Sequence, residues 1–300
     1  MSETRAAEAF AELVRIVQEL RTPETGCPWD LEQDHRSLRP YLIEEAYEVL
    51  QAIDAGVDTE LCDELGDLLL QVVLHAQVAK DRHGFEITDI VQSISKKMVR
   101  RHPHVFGDTK LGTSDQVLKN WEKIKQTEKG GSAADSGFAS RLEAIPAELP
   151  ALLRVQRIGE KAAKANFDWD GIAGVMAKVH EEFAELEAEI LQIPEQLREA
   201  GSHPLAANAL SEPLKLRLEH ELGDVLFSIC QLARWLGISA EDSLRAGATR
   251  FLSRFKMLEG LAAQPLSELS EQELDALWEQ AKKKAEKHSA AKISTKLPNN

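Results

Sequence analysis

The chain has 300 residues, 43% of them apolar, and a formal charge of -14. That length suggests two domains, and that apolar share excludes wholesale disorder. The acidity argues against nucleic acid or an anionic membrane as partner, but an anionic substrate stays open because a bound cation reverses the local field. Cys27, Cys62 and Cys230 are few and far apart, with no Cys-x-x-Cys. They read as buried small hydrophobes of a reducing cytosol, not as a disulfide frame or a zinc site. The first residues lack a signal-peptide core, and no apolar run approaches the ~20 residues a membrane span needs. A cytoplasmic protein with no membrane contact is expected.

Taken in order, residues 6–20 place Phe10, Leu13, Val14, Val17 and Leu20 on one helical face. Gly26-Cys-Pro-Trp29-Asp30 breaks that helix and begins a loop. Pro40 opens the next helix, since proline is tolerated in a first turn, and Asp54-Ala-Gly56 closes it. A helix over 61–80 follows, then one over 88–101, which His102-Pro103-His104 stops; Trp121 lies on a further polar helix. Gly130 to Gly137 is small and polar, a linker. The second half starts near Leu142, with a helix after Pro150. Near its end, Ser270-x-x-Glu273 is a capping-box pattern before a helix that carries Trp278 and Lys282-Lys-Lys284. Residues beyond about 288 are expected to fray. No stretch alternates as a strand does, so the reading is all-α.

The chemistry sits in one phrase that occurs twice. Glu44-Glu45-Ala-Tyr-Glu48 is answered by Glu64-Leu-Gly-Asp67, and Glu181-Glu182-Phe-Ala-Glu185 by Glu221-Leu-Gly-Asp224. Residues three apart share a helical face, so Glu182 pairs with Glu185 and Glu221 with Asp224. Packing the two helices together should bring four carboxylates to one spot. Such like charges need a cation, and an all-oxygen set suits a hard divalent ion, Mg²⁺ first, with Mn²⁺ able to substitute. A lone Glu-x-x-Glu is usually a solvated face. Here, however, Asp67 and Asp224 lie in helices that read as apolar nearly all round, hence central and buried, and the whole arrangement repeats. The echo of Pro28-Trp29-Asp30 in Asp168-Trp169-Asp170 supports duplication. The repeats differ in one length: fifteen residues separate Glu48 from Glu64, and thirty-five separate Glu185 from Glu221. The extra residues, about 191–213, read as a surface insertion, with an extended hairpin tip or a lid as the other option.

These motifs, with Gly26-Cys-Pro-Trp-Asp30, Arg100-Arg-His-Pro-His-Val-Phe106 and the closing Trp278 helix, resemble the MazG family of all-α nucleoside triphosphate pyrophosphohydrolases over nearly the whole chain. The resemblance implies two tandem helical-bundle domains, 1–128 and 141–300, joined by a linker at 129–140. It implies hydrolysis of a nucleoside triphosphate to the monophosphate and pyrophosphate, and a homodimer. By the same resemblance, Mg²⁺ falls to Glu182, Glu185, Glu221 and Asp224, and nucleotide contacts to Lys178, Arg217, Arg250, Arg254 and Trp278. Glu181 is the spare acid, suited equally to a supporting group or base and to a solvated helix residue. Glu45, Glu48, Glu64 and Asp67 form a second or degenerate site. Arg217 and Arg250 stand where the family has lysines, and Ala248 where it often has asparagine, so the charge is kept and one hydrogen bond is lost. Trp278 is suited equally to stacking on a base and to anchoring its helix.

Two other classes compete. A di-iron carboxylate bundle uses paired Glu-x-x-His motifs, and this chain offers one, Glu32 to His35, outside both acidic groups. A catalytically silent nucleotide-binding regulator would release no pyrophosphate. The sequence also ranks its two copies. Aligned on the first motif, Lys178 matches Tyr41; aligned on the second, Arg217 matches Glu60. Lys97 and Arg101 match Arg250 and Arg254, and Trp121 matches Trp278. With two fewer cations and one more anion, the first copy should receive a polyanion poorly, so residues 141–300 are expected to carry most of the hydrolysis.

Overall fold

In the computed structural model, residues 2–128, 142–198, 205 and 209–296 are described. All their regular structure is helical. The chain divides into two compact units, Met1–Gly131 and Ser132–Asn300. The expected linker lies outside the described residues, as do 199–204 and 206–208 of the insertion.

In the first unit, α1 (Ser2–Leu20) presents Phe10, Leu13, Val14 and Val17 to the core, as its apolar spacing requires. The loop expected at Gly26–Asp30 is partly wrong: α2 (Pro28–Glu32) forms there, with proline at its start. Its anchor is Arg21, only 8% exposed. The Arg21 guanidinium donates to the Asp81 carboxylate at 2.8 Å, to the Gln33 carbonyl at 3.2 Å and to the Asp30 carbonyl. A buried cation with three acceptors holds this short element where propensity alone would not.

Next come α3 (Arg39–Ala55) and α4 (Asp58–Asp81), which pack on each other. Gly56 ends α3 at φ 66°, a left-handed turn that glycine adopts without strain. The core gathers Val17, Leu38, Val73, Leu74 and Val78. The unit finishes with α5 (Ile87–Arg101), α6 (Pro103–Phe106) and α7 (Ser114–Glu128). His102 ends α5 as expected, but the chain resumes a turn of helix at Pro103.

In the second unit, α8 (Ala151–Ala163), α9 (Ile172–Ile190) and α11 (Glu212–Trp235) build the frame, and α9 and α11 pack most extensively. Among the described residues of the insertion, neither α9 nor α11 is continued as a hairpin. Ile193 is buried, Pro194 starts the single turn α10 (Glu195–Arg198), and Pro213 lies in the first turn of α11. After α11 come α12 (Ala240–Glu259), a 3₁₀ turn at Leu266–Glu268 and α13 (Glu271–Lys296). The Ser270 amide donates to Glu273 at 2.9 Å and the Glu273 amide returns a bond to the Ser270 hydroxyl at 3.4 Å, a formed capping box. The last helix α13 is continuous to Lys296, past the point where fraying is expected, and residues 297–300 of that segment lie outside the described residues.

One close approach locks α8 to α11. Gln231 is 1% exposed, donating to the Val155 carbonyl at 3.3 Å and accepting from Arg234 at 2.9 Å. A Cβ at position 159 would overlap the Gln231 carboxamide, so any larger residue there has to displace that buried side chain. Gly159→Ala should cost about 1–3 kcal/mol, the usual range for overpacking. The check is a urea titration, and an unchanged midpoint would mean that the carboxamide swings aside freely.

Two expectations about burial need correction. The Leu-Gly-Asp helices are not buried all round. On α4, Leu65 and Leu69 are exposed; on α11, Leu222, Leu226, Phe227 and Ile229 are exposed. Each helix is wider in apolar surface than one unit can cover. Of the cysteines only Cys230 is buried; Cys27 is half-buried and Cys62 is exposed on α4. A thiol is small enough to sit beside the acidic helix face at little cost.

Candidate active site

The acids of the second unit come together across α9 and α11. Ligand oxygens of Glu182, Glu185 and Glu221 all lie within 4.8 Å of one another. The convergence is of three acids rather than four. Asp224 stands aside in a second group with His220 and Glu221, under the same distance limit. The two groups share Glu221. Glu182 is buried, at 6% exposure, whereas Glu185 is exposed and Glu221 and Asp224 are half-buried. Burial pushes the Glu185 carboxyl above its ordinary range, and the charges of Glu182 and Glu221 add to the rise.

One feature favours a cation here. Glu221 Oε2 is sequestered and has no hydrogen-bond partner. Beside the acids, the Lys178 ammonium lies 2.7 Å from Glu182 and 2.9 Å from Glu181. Hydrogen bonds donated to Glu182 and Glu181 raise Lys178 further above its ordinary value, so it stays charged. Glu181 is thus held by Lys178 and is exposed. Arg217 is engaged as well, 2.8 Å from Glu189 of α9.

The remaining sequence-predicted residues lie on α12 and α13. Arg250 and Arg254 form no ion pair among the described residues. Trp278 packs on Phe251 with ring centroids 5.2 Å apart, which favours the helix-anchoring role. None of the three touches the acidic groups among the described residues.

The first unit repeats the arrangement. Glu45, Glu48 and Glu64 form the matching group, and Asp67 again stands outside it. Burial raises Glu45 and Glu64, with Asp67 and Glu48 contributing next for Glu45 and Glu48 and Asp67 for Glu64. In place of Lys178, Tyr41 stands edge-on to Trp29 at 5.6 Å. Two basic residues at the end of α5 are occupied, while Lys97 forms no ion pair among the described residues. Arg100 reaches Glu128 at 2.6 Å, and Arg101 reaches it at 3.0 Å through Nε while lying 5.3 Å from the Trp121 ring centre. These bonds hold the Glu128 carboxyl down at about 2.

Three features escaped the sequence reading. Glu128 was not read as a partner because nothing in a polar helix marks its contact. His220 had a readable signal, one turn before Asp224. His35, proposed as half of a Glu-x-x-His, instead meets His75, with Nδ1 atoms 2.9 Å apart and rings stacked at 5.2 Å. Neither Glu32 nor His35 belongs to a candidate metal group among the described residues, so the di-iron alternative has no site there.

The comparisons with known proteins give the family. A family model described as the MazG nucleotide pyrophosphohydrolase domain matches residues 33–106. A nucleoside triphosphate pyrophosphohydrolase/pyrophosphatase of Thermotoga maritima is 43% identical over 276 residues, 91% of this chain and 95% of that protein. The chain belongs to the MazG family. A nucleoside triphosphate pyrophosphohydrolase of Escherichia coli K12 is 40% identical over 274 residues, 90% of this chain and 96% of that one. A MazG relative in Mycolicibacterium smegmatis with the same description is 33% identical over 251 residues, 81% of this chain and 71% of its own. The MazG family model falls within the first unit, so its match does not rank the two copies. The exposed apolar faces and acidic groups of this MazG chain occur without any helix among the described residues long and apolar enough to cross a membrane.

Proposed function

We infer that the chain hydrolyses nucleoside triphosphates to the monophosphate and pyrophosphate, and that residues 141–300 carry most of the turnover. The observation that carries this reading is the convergence of Glu182, Glu185 and Glu221 around an unpartnered, sequestered oxygen, with a lysine at their edge. Glu182, Glu185, Glu221 and Asp224 would hold the divalent ion, Mg²⁺ by the hardness of four carboxylates. When bound, that ion lowers the pKa of a coordinated water and neutralises phosphate oxygens.

The chain's own residues do the rest. Lys178, permanently charged, offers a donor to the triphosphate beside the acids, with Glu181 fixing its ammonium. Arg217, Arg250 and Arg254 supply charge for the departing pyrophosphate. Arg217 must leave Glu189 to do so. Trp278 orders α13 by packing on Phe251, and a base stacks on it only if that contact opens. The two units are read as tandem MazG-like domains, and the exposed faces of α4 and α11 as surfaces that a homodimer covers, since patches of that kind mark association.

The products decide the matter. Incubation of the full chain with a nucleoside triphosphate should yield monophosphate and pyrophosphate in equal amounts. Appearance of diphosphate and orthophosphate would place the attack on the wrong phosphorus, and no release at all would favour a silent regulator.

A further inference from the structure

His220 is the group that the family motif leaves out. On α11 its Nδ1 lies 3.3 Å from Glu221 Oε1 and 3.2 Å from Asp224 Oδ2. The three side chains offer ligand atoms within 4.8 Å of one another, and Glu221 also belongs to the group with Glu182 and Glu185. One carboxylate therefore faces two neighbouring clusters, and its second oxygen is sequestered without a partner. The imidazole is 73% exposed, so turning it toward an ion costs little packing. The first unit has no such nitrogen. Aligned on Glu64 and Glu221, the residue matching His220 is Asp63, and the acidic group there is Glu45, Glu48 and Glu64.

We propose that His220 is a metal ligand that sets ion preference in the second unit, joining Glu221 and Asp224 in a mixed nitrogen–oxygen site for a first-row divalent ion such as Mn²⁺. The physical ground is ligand softness. Mg²⁺ favours six oxygens, whereas Mn²⁺ and the later first-row ions accept imidazole and bind it more tightly along the series. An imidazole ligand also lowers the negative charge of the group relative to the three carboxylates, Glu45, Glu48 and Glu64, of the first unit. The two units would then differ in the ion they prefer, and the second would gain most from Mn²⁺. This inference rests on the functional reading above for the location of the ion, but not for its identity.

The test is pulsed electron paramagnetic resonance of Mn²⁺ bound to the full chain, with Mn²⁺ and Mg²⁺ affinities measured alongside by calorimetry. Nitrogen hyperfine coupling to the bound Mn²⁺ is expected in the native chain and in His180→Gln, which changes another histidine on the neighbouring helix. It should vanish in His220→Gln and in His220→Asp. Mn²⁺ affinity should fall roughly tenfold in His220→Gln while Mg²⁺ affinity changes little. Coupling that survives in His220→Gln overturns the proposal. So does Mn²⁺ that binds without nitrogen coupling and is lost in Glu182→Gln, a result that leaves the functional reading intact. Failure of either ion to bind at all would instead remove both.

Discussion

Glu182→Gln/Glu185→Gln should lower turnover by roughly a thousandfold, the scale on which preorganised charge acts in active sites. The matching pair in the first unit, Glu45→Gln/Glu48→Gln, should leave the rate within about threefold, a change too small to mark loss of transition-state stabilisation. The geometry of the acids does not separate the units, because each brings three carboxylates together. What separates them is the cations. The second unit has Lys178 bonded to Glu182, with Arg250 and Arg254 unengaged among the described residues. The first has Tyr41 at the lysine position and Arg101 committed to Glu128, which leaves Lys97 as its one matched cation without an ion pair among the described residues. A polyanion entering the first site meets acids with little to offset them. Abolition of turnover by the first pair with the second harmless would reverse the assignment, and equal partial losses would mean two working sites. Folding is a separate readout: neither pair should unfold the chain, because each relieves repulsion among the acids, and in the second unit Lys178 keeps Glu181 when its bond to Glu182 weakens.

Removal of the ion should have the other large effect, a complete stop. Excess chelator should abolish pyrophosphate release, and added Mg²⁺ should restore it; full turnover in chelator would sink the mechanism. Stability should report the same site through pH. Glu45, Glu64 and Glu185 are raised in the fold, in each case first by burial and then by neighbouring carboxylates. The folded state therefore holds more protons than the unfolded one. Without metal, stability is fully retained below the ordinary value of 4.5 and is lost as pH climbs from there through each raised folded value. A divalent ion removes that penalty and adds its own binding energy. The rise in melting temperature on adding Mg²⁺ should thus be largest near neutrality and disappear toward about pH 4, where the acids are protonated. A metal-independent melting temperature at neutral pH would count against the acids as ligands.

Much of this was legible in the residues. Periodicity gave the helices, because apolar positions such as Phe10, Val14 and Val17 recur at the helical spacing and then pack together. Glycine at position 56 gave a boundary, because few other residues accept its φ of 66°. The acids were readable as pairs, since three-residue spacing fixes a face. Their meeting across helices was readable too, but as four acids where three converge, and Asp224 turned toward His220 because the crossing of α9 with α11 sets which oxygens approach. The short α2 was missed because a buried arginine from a distant helix end makes it, and no local pattern carries that information. The breadth of apolar surface on α4 and α11 misled in another way. An all-round apolar helix reads as buried, yet the sequence does not say whether its cover comes from the same unit.

The grip of Arg100 and Arg101 on Glu128 carries a last consequence. With its carboxyl held at about 2, Glu128 stays ionised across any ordinary pH, so acid does not open this contact. Only a competing anion does. Such an anion faces a tethered rival whose effective concentration is on the order of millimolar. The first unit therefore has a threshold built into its basic pair. Dilute, weakly charged anions leave the contact shut, while a ligand that engages both arginines at once can displace it.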